Sequence, residues 1–454
     1  MKWLAELSDS CNLCSNTLFL YKPRTFVLRN LTIHGFKSIR QETSIEFGKV
    51  NLFIGGNGVG KSNILEAIGI LSACLGREIT SDELNKKGVR LSVPTLFKSA
   101  FKNHKLRSNF DLKAKWDSGV SYDVSVSAGM QSEELNFHSE LISINGAKVI
   151  GRSPHGFTVP AIGRTLAIKE GEIRSTRGIW DVFQHLLPDE KKSVLQNEFN
   201  RLEQYAIYSP QTAFLRGTDI ESVSVKPVGL SGGGLPKAMT TIFAFLGNLR
   251  RNNPELHKVY MDILALVWMP GWTGSVSVKP LNPNIVSSQV KASDSALYFM
   301  DKHMHSSRNQ LSAYDSSEGT LYLLFMVVLL MHPEAPRVLA VDNIDSALNP
   351  KITRKLLETV IRSTCMAKDK SLGEIGLEQV FLTSHNPTSL DAFDLFNDDQ
   401  RIFVVMRDPE DGSSVIKRLQ PPAGATKAEW IKASNGKNLS EMWIEGKIKG
   451  ALGI

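Results

Sequence analysis

The chain has 454 residues, 42% of them hydrophobic and 22% charged, which fits a globular protein of two or three lobes and excludes a low-complexity or fibrous one. A formal net charge of +7 permits contact with nucleic acid without requiring it. Of the four cysteines, Cys11 and Cys14 form a lone C-x-x-C, which excludes a disulfide scaffold and a complete four-ligand zinc site and leads us to expect a reducing, cytoplasmic setting.

Residues 1–25 read as an N-terminal extension without the apolar core and cleavage site of a secretory leader. Residues 26–33 alternate like a strand, and 44–54 hold the next strands, expected in the same sheet. The last of them, Val50-Asn51-Leu52-Phe53-Ile54, runs into Gly55-Gly56-Asn57-Gly58-Val59-Gly60-Lys61-Ser62. That is a full G-x-x-x-x-G-K-S phosphate loop, and Asn63-Ile64-Leu65 opens the helix that must follow. The glycines Gly55, Gly58 and Gly60 let backbone N–H groups face a phosphate, with Asn57 at the tip and Asn63 beside it. Lys61 is expected to pair with the β- and γ-phosphates of ATP, and the Ser62 hydroxyl to hold Mg²⁺.

From Lys86 to Lys115 nine basic residues face a single acid, Asp111. Phe97, Phe101 and Phe110 lie among them; they can stack nucleic-acid bases or form the inner face of the segment, and the second is the expectation. Alternation over 109–127 and 134–150 predicts an antiparallel β lobe, and 178–206 and 236–268 read as helical. Ser209-Pro210-Gln211 and Gly229–Gly234 punctuate the region between them, and Gln211 reads as a plain turn residue before a water- or Mg²⁺-contacting one. No sustained heptad pattern appears, so a long coiled coil is not expected.

Ser316-Ser317-Glu318-Gly319-Thr320 leads into the most apolar stretch, Leu321 to Met331, which is shorter than the roughly 20 residues that cross a bilayer and reads as a core helix. Val338-Leu339-Ala340-Val341 is a buried-type strand ending in Asp342, a second carboxylate for Mg²⁺ lying 280 residues beyond Ser62. A helix at 351–364, a strand at 379–383, Ser384-His385-Asn386-Pro387, a helix near 388–393 and a strand at 402–406 complete the alternation, followed by a hairpin near Asp411-Gly412 and a helix near 438–448.

In order, these elements resemble the Walker A, signature, Walker B, D-loop and switch-histidine series of ABC-type ATPase heads. Ile33-His34-Gly35-Phe36-Lys37-Ser38-Ile39 is similar to the opening of the RecF/SMC/OLD-like group, over roughly residues 26–75 and 309–407. The resemblance implies an α/β P-loop head (26–107 and 309–410), a β lobe with a helical insertion (108–308) and a tail (411–454). It implies that Ser317 and Gly319 cap the nucleotide of a second copy, that His385 reports the γ-phosphate, and that Lys37 contacts nucleotide. Such heads usually carry glutamate after the Walker B acid; here Asn343 stands there, which can orient water but not take its proton. Asp345, or an acid from another subunit, can substitute; otherwise the chain binds ATP without ordinary turnover. A head without a nuclease domain further resembles the ATPase subunits of paired anti-phage systems of the PARIS and Septu type. The implied partners are a second copy of the chain and a separate effector, a nuclease. A RecF-like clamp on DNA is the other reading, and no membrane partner is expected.

Overall fold

The computed structural model describes residues 28–129, 133–160, 164–166, 173–222, 225–287, 294–365 and 376–448. The extension at 1–25, with Cys11 and Cys14, lies outside the described residues.

The chain begins with strands β1 (Asn30–His34), β2 (Thr43–Glu46) and β3 (Val50–Ile54), then helices α1 (Lys61–Leu75) and α2 (Ser81–Lys86). Six strands follow: β4 (Asn109–Lys115), β5 (Val120–Ser127), β6 (Asn136–Ile144), β7 (Ala147–Ser153), β8 (Gly156–Val159) and β9 (Arg164–Leu166). Helices α3 (Ile179–Phe183) and α4 (Asp189–Glu203) lead to β10 (Ile207–Tyr208), then α5 (Thr212–Arg216), α6 (Leu235–Asn252) and α7 (Pro254–Leu264). Strands β11 (Thr273–Pro280), β12 (Ser295–Asp301) and β13 (Gln310–Ser312) precede α8 (Glu318–Met331), β14 (Val338–Val341) and α9 (Pro350–Cys365). The chain closes with β15 (Gln379–Ser384), β16 (Gln400–Arg407), β17 (Ser414–Leu419), α10 (Lys427–Ala433) and α11 (Leu439–Ile444).

The central sheet has the order β10-β14-β15-β3-β16-β17, parallel except for the last hairpin. Its inner strands are buried on both faces, which is why they read as continuous apolar runs. Alternate residues feed two cores. Phe53, Ala340, Phe381 and Phe403 point into one, with α1 and the antiparallel sheet. Leu52, Val341, Leu382 and Val404 point into the other, with α6, α7, α8 and α9. Buried between sheets, α1 has little amphipathic character, and α8, apolar all round, is the core helix expected.

An eight-stranded antiparallel sheet, β2-β1-β4-β5-β6-β7-β8-β9, forms the second layer. It corrects one expectation. β1 and β2 do not share the sheet of β3; they pair with each other and with β4. The alternating burial of β1 marks a one-faced strand, whereas β3 is buried at every position. The run read as helical over 236–268 holds two helices, parted at Asn253-Pro254, where the Asn253 side chain accepts from the Leu256 N–H at 3.1 Å and caps α7. Likewise 178–206 divides at Pro188.

The two sheets are tied by one buried amide. Gln379 at the start of β15 donates to the Leu28 and Gly48 carbonyls at 2.9 and 2.8 Å and accepts from the Leu28 N–H at 2.9 Å. Replacing it with leucine leaves the Leu28 groups stranded in the core. We predict that Gln379→Leu lowers stability by about 3 kcal/mol, read as a lower urea midpoint with an unchanged slope.

Candidate nucleotide site

The phosphate loop occupies Gly55 to Lys61 between β3 and α1. Two of its glycines are fixed by close approach. A Cβ on Gly55 would lie 2.1 Å from the Val405 carbonyl, and one on Gly60 would lie 2.3 and 2.5 Å from the hydroxyls of Ser414 and Ser38. Those two serines bond each other at 2.6 Å, and Asn63 donates to Ser38 at 2.7 Å. Asn57 and Gly58 form the exposed tip. Arg407 at the end of β16 donates to the Gly58 carbonyl at 2.6 and 3.1 Å and braces the loop from the far side.

Lys61 is buried, and its ammonium donates to the carbonyls of Gly55 and Gly56 at 2.9 and 2.8 Å. Its third neighbour is Nδ1 of His385 at 3.2 Å. Burial pushes the lysine pKa down to about 8, against the opposing pull of Asp342 and Asp345. Burial, then the Lys61 charge, also lowers the pKa of His385. The imidazole is therefore neutral near pH 7; if Nδ1 accepts from Lys61, Nε2 is left as the N–H donor.

Strands β14, β15 and β3 carry the remaining groups to the same edge. Val341 pairs with Leu382 and Ser384 with Ile54, so residues distant in sequence end side by side. The Ser62 hydroxyl donates to both oxygens of Asp342, at 3.1 and 2.9 Å. One hydroxyl beside one carboxylate suits Mg²⁺, which keeps several waters and takes its other ligands from phosphates. Among the described residues no cluster of three or more His, Cys, Asp or Glu forms a dedicated metal cage.

Asn343 follows with φ of 59°, a left-handed conformation that asparagine adopts more readily than glutamate. Its N–H donates to Thr383 Oγ1 at 2.8 Å, and the same hydroxyl donates to Asp342. The buried Tyr322 hydroxyl of α8 donates to the carbonyls of Asn343 and Ile344 at 3.3 and 3.0 Å. Asp345 accepts from the N–H groups of His385 and Asn386, at 3.3 and 2.9 Å, through one oxygen. Its other oxygen is buried without a hydrogen-bond partner among the described residues. Asp345 thus tethers the histidine loop to the Walker B turn.

Ser317 is exposed at the N-terminus of α8, and Gly319 allows close packing there, since a Cβ would meet the Ala347 carbonyl at 2.9 Å. Lys37 is occupied elsewhere: its ammonium pairs with the buried Glu66 and lies 4.7 Å from the Phe97 ring centre. Glu66 also takes Arg90. Phe97 and Phe110 are core residues, as expected over base stacking. The exposed Gln211 precedes α5, its N–H donating to the Ser231 carbonyl. Sequence reading missed Thr383, Arg407, Tyr322 and Glu66. Thr383 was readable as the strand residue just before Ser384-His385; nothing in the sequence marks Arg407 as a brace.

The fold is an α/β P-loop nucleotide-binding head with an antiparallel β lobe and a helical insertion. A family model described as "AAA domain" matches residues 30–208, and one described as "AAA domain, putative AbiEii toxin, Type IV TA system" matches residues 186–391. Over residues 30–391 the chain is thus similar to AAA-type ATPase domains, neither model alone covering half of it. No curated protein matches it. Similar solved structures include an SMC head bound to the C-winged helix domain of ScpA, 14% identical, with a TM-score of 0.48 over 87% of this chain and 98% of that one. The SMC head domain from Thermotoga maritima is 12% identical, with a TM-score of 0.38 over 87% of this chain and 99% of that one. The Smc head domain with an extended coiled coil from Pyrococcus furiosus, bound to the C-terminal domain of ScpA, is 13% identical, with a TM-score of 0.45 over 91% and 100%. Likeness at this level says nothing of activity or partners.

The Lys61 environment gives a pH signature. A phosphate favours the charged ammonium, so ATP binding takes up a proton wherever the free lysine is neutral. Affinity should be flat below pH 8 and should fall above it by up to about tenfold per pH unit. Calorimetry in buffers of different ionisation enthalpy reads both effects, and Lys61→Ala should remove binding and pH dependence together.

Proposed function

We propose that this chain is an ATP-binding, slowly hydrolysing molecular switch that works as a homo-oligomer and controls a separate effector, a nuclease of bacterial anti-phage defence. The observation that carries the switch reading is the pairing of a complete phosphate seat with Asn343 in the left-handed turn after Asp342.

The loop amides and Lys61 bind the triphosphate. Ser62 and Asp342 would hold Mg²⁺, which when bound would screen the charge of the phosphates. His385 Nε2–H donates to a γ-phosphate oxygen and so distinguishes triphosphate from diphosphate. Asn343 orients the attacking water by hydrogen bonds but cannot accept its proton. Asp345 has one oxygen engaged by the backbone of the histidine loop, so its first role is positioning. Water attack therefore proceeds without a strong base, and the ATP state is long-lived.

Exposure of Ser317 at the start of the 14-residue helix α8 supports a split site, in which this helix terminus caps the γ-phosphate held by a second copy. The defence role rests on the resemblance to stand-alone anti-phage ATPases. The type IV TA description of the model matching 186–391 is in keeping with a chain that acts through a second component.

Two outcomes follow for the chemistry. Asn343→Glu should raise kcat by about 100-fold despite roughly 1 kcal/mol of backbone strain, whereas Asn343→Gly, which relieves that strain without adding a base, should not. Asp345→Ala should lower turnover about tenfold with little loss of ATP affinity, because the His385 loop loses its tether. Equal turnover in all four proteins would show that this turn does not set the rate.

Assembly gives an independent check. Sedimentation with ATP and Mg²⁺ should find an oligomer, and Ser317→Arg should return it to a monomer that still binds ATP at its own phosphate loop, with the affinity lowered by the lost cap. A wild-type monomer at micromolar concentration would contradict the split site.

A further inference from the structure

A second glycine loop lies away from the phosphate loop, and its occupant is a side chain of the protein itself. Gly229-Leu230-Ser231-Gly232-Gly233-Gly234 runs directly into α6, the 18-residue helix. Gly232 and Gly234 have φ of 103° and 84°, which turn successive N–H groups to one side. The Glu221 carboxylate sits in that concavity. One oxygen accepts from the Ser231 N–H at 2.6 Å and the other from the Gly233 N–H at 2.9 Å. A Cβ on Gly229 would lie 1.5 Å from the same carboxylate, so the seat is closed to any side chain at that position.

Unsatisfied polar groups lie beside the seat. The loop opens on a cavity of about 460 Å³ lined by Arg216, Lys226, Lys237 and His332 and by the acids Asp219, Glu221 and Glu334, the last of them paired with Lys226. It adjoins a second cavity of about 470 Å³ through Lys226, His332 and Glu334. Tyr208 lines that second cavity. It is fully buried, and its hydroxyl has no hydrogen-bond partner among the described residues. Burial, then the nearby Glu221 charge, push its pKa up, so the phenol stays protonated as a donor. Arg216 Nε, in the first cavity, is likewise a buried donor without a partner among the described residues. Buried donors in this state call for a ligand or water.

We propose that this cleft is a binding site for a small anion, a phosphate or carboxylate group, whose head takes the seat now held by Glu221 beside Arg216, with Tyr208 in the adjoining cavity. Glu221 is its internal placeholder. The loop is hydrogen-bonded to the segment before α5, through Ser209 N–H to the Leu230 carbonyl and Gln211 N–H to the Ser231 carbonyl, both at 2.9 Å. Thr212 in turn donates to Glu318 at the head of α8. Exchange of Glu221 for a ligand therefore has a covalent and hydrogen-bonded path to the signature loop, although binding itself does not depend on any role of that loop.

The test uses the full chain in a Lys61→Ala background, so that the phosphate loop contributes no anion binding. Inorganic phosphate and acetate are titrated separately, with calorimetry and melting temperature as readouts. Glu221→Ala should lower the melting temperature, and phosphate or acetate should restore it saturably, with a Kd about tenfold tighter than in the parent. Adding Gly229→Ala, whose methyl fills the seat, should erase that response. The probe that saturates more tightly identifies the head group. Should Glu221→Ala fail to fold, Glu221→Gln serves: it keeps one acceptor but loses the charge, and tightening of about threefold, again erased by Gly229→Ala, is expected. No tightening with either probe, or a response that survives Gly229→Ala, would overturn the proposal.

Discussion

Everything chemical in this protein depends on three parallel strands ending at one level. β14, β15 and β3 pair in register, so the chain leaves the sheet at Asp342, Ser384 and Gly55 along a single edge. Residues separated by 280 positions in sequence thereby meet within hydrogen-bond distance as Ser62 and Asp342. The strands can hold that register because both their faces are buried. A slip of one residue would exchange the side chains of two different cores. Packing far from the nucleotide site is thus what sets the geometry at it.

On that edge the turn after β14 is fastened from three directions. Thr383 holds the Asn343 N–H, Tyr322 holds the carbonyls of Asn343 and Ile344, and Asp345 holds the N–H groups of the histidine loop. The histidine in turn lies against Lys61. Lys61, His385, Asp345 and the turn thus form one hydrogen-bonded series. The left-handed conformation at Asn343 suits an amide side chain and disfavours a glutamate. A carboxylate at Asp345 that anchors a loop is poorly placed to serve as a free base as well.

Much of this was legible in the sequence, for a physical reason. The phosphate loop needs glycine at fixed places because backbone approaches backbone there, as at Gly55 against Val405. Strands buried on both faces announce themselves as apolar runs, as at Val338 to Val341. The assignment of β1 and β2 to the central sheet was a misreading of period: an alternating strand exposes one face, and that pattern belonged to the antiparallel layer. Gln379 was invisible because a single polar residue in a strand gives no sign of which distant carbonyls it will meet. Lys37 looked like a nucleotide contact by motif, yet Glu66, one turn inside α1, engages its charge. Pairings of this kind arise from tertiary packing, and sequence spacing does not encode them.

A single-turnover experiment tests the central claim most directly. Protein in excess over labelled ATP and Mg²⁺ is quenched at intervals, and bound triphosphate and diphosphate are separated. Slow chemistry predicts that intact ATP stays bound and decays well below the roughly 1 per second floor of ordinary enzymes, with phosphate release following at the same rate. Rapid conversion to bound ADP and phosphate, followed by slow release, would contradict the account, because the delay would then lie in product exit and not at Asn343.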